Sequence, residues 1–252
     1  MPNRRLQIAC AAAGLVAPLV ALAALFGSGL FPPEPANRTA AEIASFYAHH
    51  GDLKIAGAFI GFCAVSLAAP LVAVIGLRLF RIEGRHPIAS FVQIVSGAAT
   101  VVFLSIPLLI MLVAAFRPDR APDTTQALHD LAWILFLIPV GPFILQNTAI
   151  AVAILRDRHP RPVYPRWVAW ANLVIAASFV PDALLGFFKS GAFAYQGAVA
   201  FWIPTVTYGL WLNIMAITTI RAIRAEARED AEAAAPTEAA PAAGPPVPAG
   251  VS

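Results

Sequence analysis

Six long apolar stretches, separated by short polar segments, run along this chain of 252 residues. As α-helices rising ~1.5 Å per residue, each would be long enough to cross the ~30 Å hydrocarbon core of a bilayer. The pattern predicts an all-α, polytopic membrane protein, a bundle of six transmembrane helices over about residues 6–31, 55–80, 88–116, 131–155, 167–188 and 198–220. The first stretch is longer than the apolar region of a cleaved signal peptide, so we expect it to be retained as a span.

A shorter helical pattern occupies residues 39–50, between the first two spans. Thr39 followed by Glu42 forms a capping box, which predicts the start of a helix, and Gly51 is expected to end it. The side chains that would share one face of this helix are Ile43, Phe46, Tyr47 and His50. We therefore expect an amphipathic helix on the outer membrane surface or over the helix bundle, acting as a lid or anchor or as a gate for a solute.

Composition supports a membrane protein and excludes an ordinary soluble domain. Hydrophobic residues make up 59% of the chain and charged residues only 12%, whereas soluble domains are about 25% charged. The net charge of +3 does not indicate nucleic acid, because the basic residues flank the apolar stretches, where they set membrane topology. The expected partner is the lipid bilayer, and no nucleic acid is expected.

The distribution of basic residues predicts the orientation of the bundle. Twelve of the 17 Lys and Arg residues would lie on one side of the membrane, and those twelve are Arg4, Arg5, Arg78, Arg81, Arg85, Arg156, Arg158, Arg161, Arg166, Arg221, Arg224 and Arg228. The five on the opposite side are Arg38, Lys54, Arg117, Arg120 and Lys189. Because loops rich in basic residues stay in the cytoplasm, both termini are expected there. The excess of Arg over Lys and the abundance of Ala favour the cytoplasmic membrane of a bacterium.

Two regions of different composition divide the chain. Residues 1–230 would form the six-helix transmembrane domain, including RAIRAEARED at 221–230, which is expected to continue the sixth span as a short helix. Residues 231–252 are rich in Ala and Pro and show no apolar periodicity, so they predict a disordered cytoplasmic tail.

One carboxylate lies well inside an apolar span. Asp182, in FVPDALLGFFKS, would sit about 10 Å below the outer end of the fifth span. An acidic side chain at that depth is costly and is expected to face the bundle or a wet cavity. A structural role would pair it with neighbouring hydroxyls or with Lys189, and a functional role would make it a proton-binding or cation-binding group. Pro181 is expected to kink the helix just before it.

The sixth span offers hydroxyl groups at a similar depth. Thr205, Thr207 and Tyr208 follow Pro204 in FWIPTVTYGLW. Two helices that are interrupted by proline, one with a carboxylate and one with hydroxyls, could form a binding pocket of the broken-helix kind. The sequence thus predicts a substrate-binding or proton-binding site made of these three residues and Asp182.

A second group of polar residues would lie nearer the cytoplasmic side. It consists of Gln93, Gln146, Asn147, Asn172 and Asn213, which we call the inner polar belt. Amides in a membrane commonly join helices through hydrogen bonds, so structural contacts are one interpretation. The other is that the belt continues a polar pathway that begins at Asp182.

The histidines raise the question of a metal site. His49, His50, His129 and Asp130 would all lie on the outer side, and their donor atoms suit a divalent metal. No H-E-x-x-H motif and no Cys/His metal-binding spacing accompanies them, and P-loop, dinucleotide-binding and nucleophile-elbow motifs are also absent from the sequence. We expect no cofactor and no catalytic residue.

Residues 37–81 carry a family resemblance. This stretch includes RTAAEIASFYAHHGDLKIAGAFIGFCAVSLAAPLVAVIGLRLF, and it resembles a group of uncharacterised bacterial six-span membrane proteins. That group has an outer amphipathic helix between its first two spans and no assigned activity. The resemblance therefore implies the topology and no reaction.

Three hypotheses on function follow from the sequence. The first is a small-solute transporter or solute-binding membrane protein with a protonatable Asp182. The second is a non-catalytic accessory or structural subunit that binds another membrane protein. The third is a metal-dependent membrane enzyme that uses the outer His and Asp residues.

Overall fold

The computed structural model of the protein describes residues 3–234, and within them every regular element is helical and none is a β-strand. The α-helices are α1 (Arg4–Gly27), α2 (Ala40–Ala48), α3 (Gly51–Ser66), α4 (Ala68–Glu83), α5 (Ile88–Phe116), α6 (Pro122–Leu137), α7 (Gly141–Arg156), α8 (Arg166–Ser178) and α9 (Ile203–Ala234). A 3₁₀-helix (Val180–Phe187) follows α8, and a π-helical turn (Ala198–Trp202) precedes α9. The predicted tail, 231–252, lies outside the described residues except for 231–234, which belong to α9.

The prediction of six spans is confirmed as far as length and apolar character go, which is consistent with a multi-pass membrane protein. Six stretches are long and apolar enough to cross a bilayer, and in chain order they are Arg4–Gly27, Gly51–Glu83, Ile88–Phe116, Pro122–Arg156, Arg166–Phe187 and Ala198–Ala233. We call them spans one to six. The continuation of span six through residues 221–230 is confirmed as well, because α9 runs without a break to Ala234.

Prolines explain why several spans are not continuous α-helices. A proline ring clashes with the carbonyl four residues earlier, so a helix tends to stop there. Accordingly α3 ends at Ser66, four residues before Pro70, and α6 ends at Leu137, close to the same distance before Pro142. In span five, α8 ends at Ser178, and Pro181 occupies the first turn of the 3₁₀-helix.

Some predicted helix ends were wrong. Gly51 does not end the short outer helix, because α2 stops at Ala48 and Gly51 is the first residue of α3. His50 makes the corner between them with a left-handed backbone (φ 53°). Span four begins at Pro122 rather than near residue 131, since the polar stretch after Pro122 is already helical and packs against α2.

The two ends of the described chain meet on one face of the bundle. Arg4 lies 3.6 Å from Asp230, and the Arg78 guanidinium contacts both Gln7 and Glu226. We call this the terminal face, and the opposite face, which carries α2, the α2 face. The assignment of the terminal face to the cytoplasm stays a prediction made from the basic residues.

The short helix α2 covers the α2 face of the bundle. Its predicted capping box is confirmed, because the Glu42 amide donates to Thr39 Oγ1 (3.3 Å) and the Thr39 amide donates to Glu42 Oε2 (2.8 Å). Ile43 and Tyr47 are buried, and α2 packs mainly on α6. Of the two predicted positions, on the membrane surface or over the bundle, the structure has the second.

The buried core consists of two hydrophobic clusters at different depths. The cluster nearer the terminal face includes Ile75, Ile154 and Met215. The cluster nearer the α2 face includes Met111 and Trp133. The clusters meet at the level where spans two, four, five and six change from one helix to the next, and this boundary contains the candidate site described below.

Candidate functional site

A cavity of about 120 Å³ lies between the two core clusters. All six spans contribute to its wall, among others through Pro18, Ala68, Phe103, Pro139 and Leu212. The wall is almost entirely hydrocarbon. Its polar side chains are Thr100, Asp182, Thr205 and Tyr208.

Interrupted helices surround this cavity. Pro139 lies in the break between α6 and α7, and Pro204 follows the π-helical turn at the start of span six. Phe179, which joins α8 to the 3₁₀-helix, also lines the wall. Irregular backbone at membrane depth occurs where it is buried in protein or lines a cavity, and here it does both.

The 3₁₀-helix of span five aims Asp182 into the protein. Side chains three residues apart align in a 3₁₀-helix, and Asp182 and Leu185 are accordingly its two buried residues. Asp182 is 0% exposed, and neither of its carboxylate oxygens has a hydrogen-bond partner among the described residues. The expected structural partners are therefore missing: no hydroxyl reaches the carboxylate, and Lys189 is exposed at the surface.

The predicted hydroxyl residues of span six separate into two groups. Thr205 and Tyr208 lie on the cavity wall with Asp182. Thr207 does not line the cavity, because its hydroxyl donates to the Ile203 carbonyl (2.8 Å) and accepts from Ser178 Oγ (3.2 Å). Thr207 thus joins spans five and six beside the cavity instead of facing it.

Aromatic rings form much of the wall near the carboxylate. The Phe143 ring meets the rings of Phe179 and Tyr208 edge to face, with centroid distances of 4.7 Å and 5.1 Å. Trp211 packs behind Phe143 at 5.1 Å and stacks on Tyr208 at 5.9 Å. These contacts fix the rings, so the shape of the wall is set before any ligand binds.

None of the five residues of the inner polar belt lines this cavity. Three of their amides donate to a carbonyl in their own helix: Asn147 to Phe143, Asn172 to Val168, and Asn213 to Gly209, each at 2.8 Å. Links between helices come from Gln93, which donates to the Val72 carbonyl (3.2 Å), and from Asn172, which accepts from Trp211 Nε1 (3.0 Å). Gln146 is buried, and its Nε2 has no partner among the described residues. Gln93 Oε1 and Asn147 Oδ1 also have no partner among the described residues. The belt makes contacts within and between helices, and it is separate from the cavity.

The outer histidines lie at separate places on the α2 face. His129 is buried under α2, where its Nδ1 is hydrogen-bonded to the Tyr47 hydroxyl (3.1 Å). Asp130 accepts a hydrogen bond from the Tyr195 hydroxyl (3.1 Å). The rings of His49 and His50 pack on each other at the exposed corner between α2 and α3. Across residues 3–234, no group of three or more His, Cys, Asp or Glu side chains is placed to hold a metal ion.

Burial changes the acidity of two tyrosines that lie outside the spans on the α2 face. Burial raises the pKa of the Tyr47 hydroxyl, and the neighbouring Asp130 carboxylate adds to this rise. Burial likewise raises the pKa of Tyr195, which donates to the same carboxylate. Both phenols therefore stay protonated at neutral pH and serve as hydrogen-bonding groups beneath α2.

Sequence reasoning missed a buried ion pair on the terminal face. Arg78 and Glu226 contact each other directly and are only 5% and 6% exposed. Arg81 Nη1 lies 3.3 Å from the second oxygen of Glu226, and Gln7 accepts from Arg78 (2.8 Å). From the sequence, Arg78 is interpreted only as one of the basic residues that set membrane topology. No local pattern links it to Glu226, which lies 148 positions away.

Comparisons with protein families, with curated proteins and with solved structures found no match to this chain. The likeness of residues 37–81 to bacterial six-span proteins therefore stays a prediction.

Proposed function

We propose that this membrane protein binds a small solute in the cavity between its six spans, as the central step of transporting it, with Asp182 as the protonatable group of the site. The observation that carries the proposal is the carboxylate itself: it is fully buried, both of its oxygens lack partners among the described residues, and it lies on the wall of a cavity.

Energetics support a functional role for Asp182. A buried polar group without a hydrogen bond costs about 1–3 kcal/mol, and more when it is charged. Replacing such a group with a hydrocarbon side chain would improve packing, so a purely structural position would gain nothing from an acid. Ionisable residues inside membrane spans commonly mark ion or substrate sites for this reason.

The backbone around the cavity supports transport as well as binding. Discontinuous spans place the binding sites of many transporters near the middle of the bilayer, between groups of helices that can move relative to each other. Here spans two, four, five and six each change helix type or break near the cavity. These junctions are the positions where a small rotation would open the cavity to one face or the other.

We infer the topology from charge. Because most basic residues would share the terminal face, that face lies in the cytoplasm of a bacterium. A membrane-impermeant thiol reagent added to intact cells would label a cysteine placed at Ser190 and would spare one placed at Glu232. The opposite labelling pattern would reverse the orientation.

A cavity-filling variant tests the proposed function. Gly209 lies on the cavity wall, and a Cβ added there would meet no atom within 4 Å, so we expect the side chain of Gly209→Leu to extend into the cavity. Gly141 is a matched control, because its added Cβ also meets nothing within 4 Å and Gly141 is not on the wall.

The measurement is the thermal unfolding midpoint of the purified protein with a panel of neutral and charged solutes up to the size of benzene. At least one solute should raise the unfolding midpoint of the wild type and of Gly141→Leu. The same solute should leave the midpoint of Gly209→Leu unchanged. In proteoliposomes, Asp182→Asn should abolish uptake of that solute while the protein still inserts and folds. The cavity is not a binding site if no solute shifts the unfolding midpoint of the wild type, or if the midpoint of Gly209→Leu shifts by the same amount. An accessory role would then account better for the protein.

A further inference from the structure

We infer that the ligand of this cavity is a small organic monocation, whose ammonium group pairs with Asp182 while its hydrocarbon body packs on the aromatic wall. The inference rests on the proposed function and names the chemical class of its solute.

The carboxylate of Asp182 has unused capacity to accept hydrogen bonds. An ionised carboxylate offers about four acceptor positions and no donor, and none of these positions is used here. A neutral solute with one hydroxyl would satisfy only one position and leave the negative charge unbalanced. An ammonium group brings several donors and a positive charge to the same place, and hydrogen bonds between ionised groups are about twice as strong as neutral ones.

The protein supplies no cation of its own at this site. Among residues 3–234, no Lys, Arg or His lies on the cavity wall. Among the described residues, buried Lys54 donates to the His49 carbonyl (2.6 Å), and buried Arg78 is paired with Glu226. Buried His129 is hydrogen-bonded to the Tyr47 hydroxyl under α2. None of these side chains can balance an ionised Asp182, so its counter-charge is either a bound proton or a cationic ligand.

The aromatic wall matches an organic cation better than a metal ion. Faces of aromatic rings attract ammonium groups within about 6 Å, and Phe143, Phe179 and Tyr208 surround the space near Asp182. A hard metal cation such as Ca²⁺ needs about six or more oxygen ligands. The side chains of the wall offer the Asp182 carboxylate and three hydroxyls, and one of these, on Thr100, already donates to the Ser96 carbonyl (2.9 Å).

Size and charge limit the ligand further. A cavity of about 120 Å³ is slightly smaller than the ~150 Å³ cavity that accommodates benzene in an engineered protein core. The ligand should therefore be no larger than a compact hydrocarbon group with one ammonium. Because Asp182 is the one acidic residue on the wall in the described part of the chain, a second positive charge would have no partner there.

An isosteric pair of probes tests the inference: tert-butylammonium and tert-butanol have almost the same shape and differ in charge. Binding of each to the purified full-length protein would be measured by calorimetry at constant ionic strength. The variants are Asp182→Asn, which keeps the shape of the side chain without its charge, and Glu232→Gln, which removes an exposed carboxylate far from the cavity.

We expect tert-butylammonium to bind the wild type and Glu232→Gln at least ~10-fold more tightly than tert-butanol, which corresponds to one well-placed charge interaction. The Asp182→Asn substitution should weaken the binding of tert-butylammonium by about the same factor. It should change the affinity for tert-butanol by less than ~2-fold. Equal binding of the two probes to the wild type, or ammonium binding that is unchanged in Asp182→Asn, would overturn the inference.

The failure of this inference can be distinguished from failure of the proposed function. If both probes bind equally and Gly209→Leu abolishes both, the cavity is a solute site for neutral ligands and only the monocation assignment is wrong. If neither probe binds the wild type, the monocation assignment is overturned, and the solute panel with Gly209→Leu decides the proposed function separately.

Discussion

Two buried carboxylates lie in different regions of this protein, and their surroundings differ completely. Glu226, on the terminal face, is 6% exposed and contacts Arg78 and Arg81. Asp182, between the core clusters, is 0% exposed, has no partner for either oxygen within residues 3–234, and adjoins a cavity. Burial alone does not distinguish the two residues, but the presence of partners does.

The difference indicates what each carboxylate contributes. Glu226 balances a buried guanidinium and fixes the extended end of α9 against span two, so its role is structural. Asp182 balances nothing in the described part of the chain, so it costs stability unless something else binds there. The comparison predicts opposite responses when each acid is removed.

Glu226→Gln should give the largest effect. It would leave the Arg78 guanidinium buried without a counter-charge, and breaking a buried ion pair in this way costs about 3–5 kcal/mol. Because Gln7 still accepts one hydrogen bond from Arg78, we expect a loss near the lower end, about 3 kcal/mol. The free energy of unfolding, measured in mixed micelles, checks this value.

The control is Glu232→Gln, because Glu232 contacts Arg161 at 3.2 Å in an exposed pair. Exposed pairs contribute at most about 1 kcal/mol. If Glu226→Gln destabilised the protein as little as this control, the terminal-face pair would not be structural. Glu226 and Asp182 would then not differ in the way described above.

Two glycines sharpen the comparison between a tight region and an open one. At Gly97, near the inner polar belt, an added Cβ would lie 2.6 Å from both Gln146 Nε2 and Val72 Cγ1. Gly97→Ala should therefore cost about 1–3 kcal/mol through overpacking. The Val72 side chain is stiff because it is β-branched, so it cannot move aside cheaply.

At Gly209, on the cavity wall, the same change meets open space. Gly209→Ala should be neutral or should stabilise the protein by up to about 1 kcal/mol, because alanine favours a helix interior over glycine. Unfolding midpoints of the two alanine variants, measured side by side, test both statements. Equal destabilisation of the two would show that the cavity wall is as tightly packed as the belt.

Much of the fold could be predicted from sequence because the thickness of a bilayer sets the length of a span. The six spans and the capping box of Thr39 and Glu42 followed from patterns that are local in the chain. The helix breaks at Leu67 and near Ile138 were missed, although Pro70 and Pro142 signal both. The early start of span four depends on packing with α2, which is a tertiary effect.

The candidate site was only partly accessible to the same reasoning. Thr205 and Tyr208 are three residues apart and share a helix face, whereas Thr207 is two residues from Thr205 and points elsewhere. Helical spacing alone would have separated them. The pair Arg78 and Glu226 could not be predicted, since the two residues are 148 positions apart and no local pattern joins them.

The most direct test of the central claim, that Asp182 is kept for a ligand and not for stability, is the thermal unfolding midpoint of Asp182→Leu in the absence of solute. The cavity gives the larger side chain room, and removing the unpartnered acid should raise stability by about 1–3 kcal/mol, a rise of several degrees for a protein of this size. The variant should at the same time lose solute binding. A midpoint that falls, as expected for Glu226→Gln, would show that Asp182 holds the bundle together and would contradict the account.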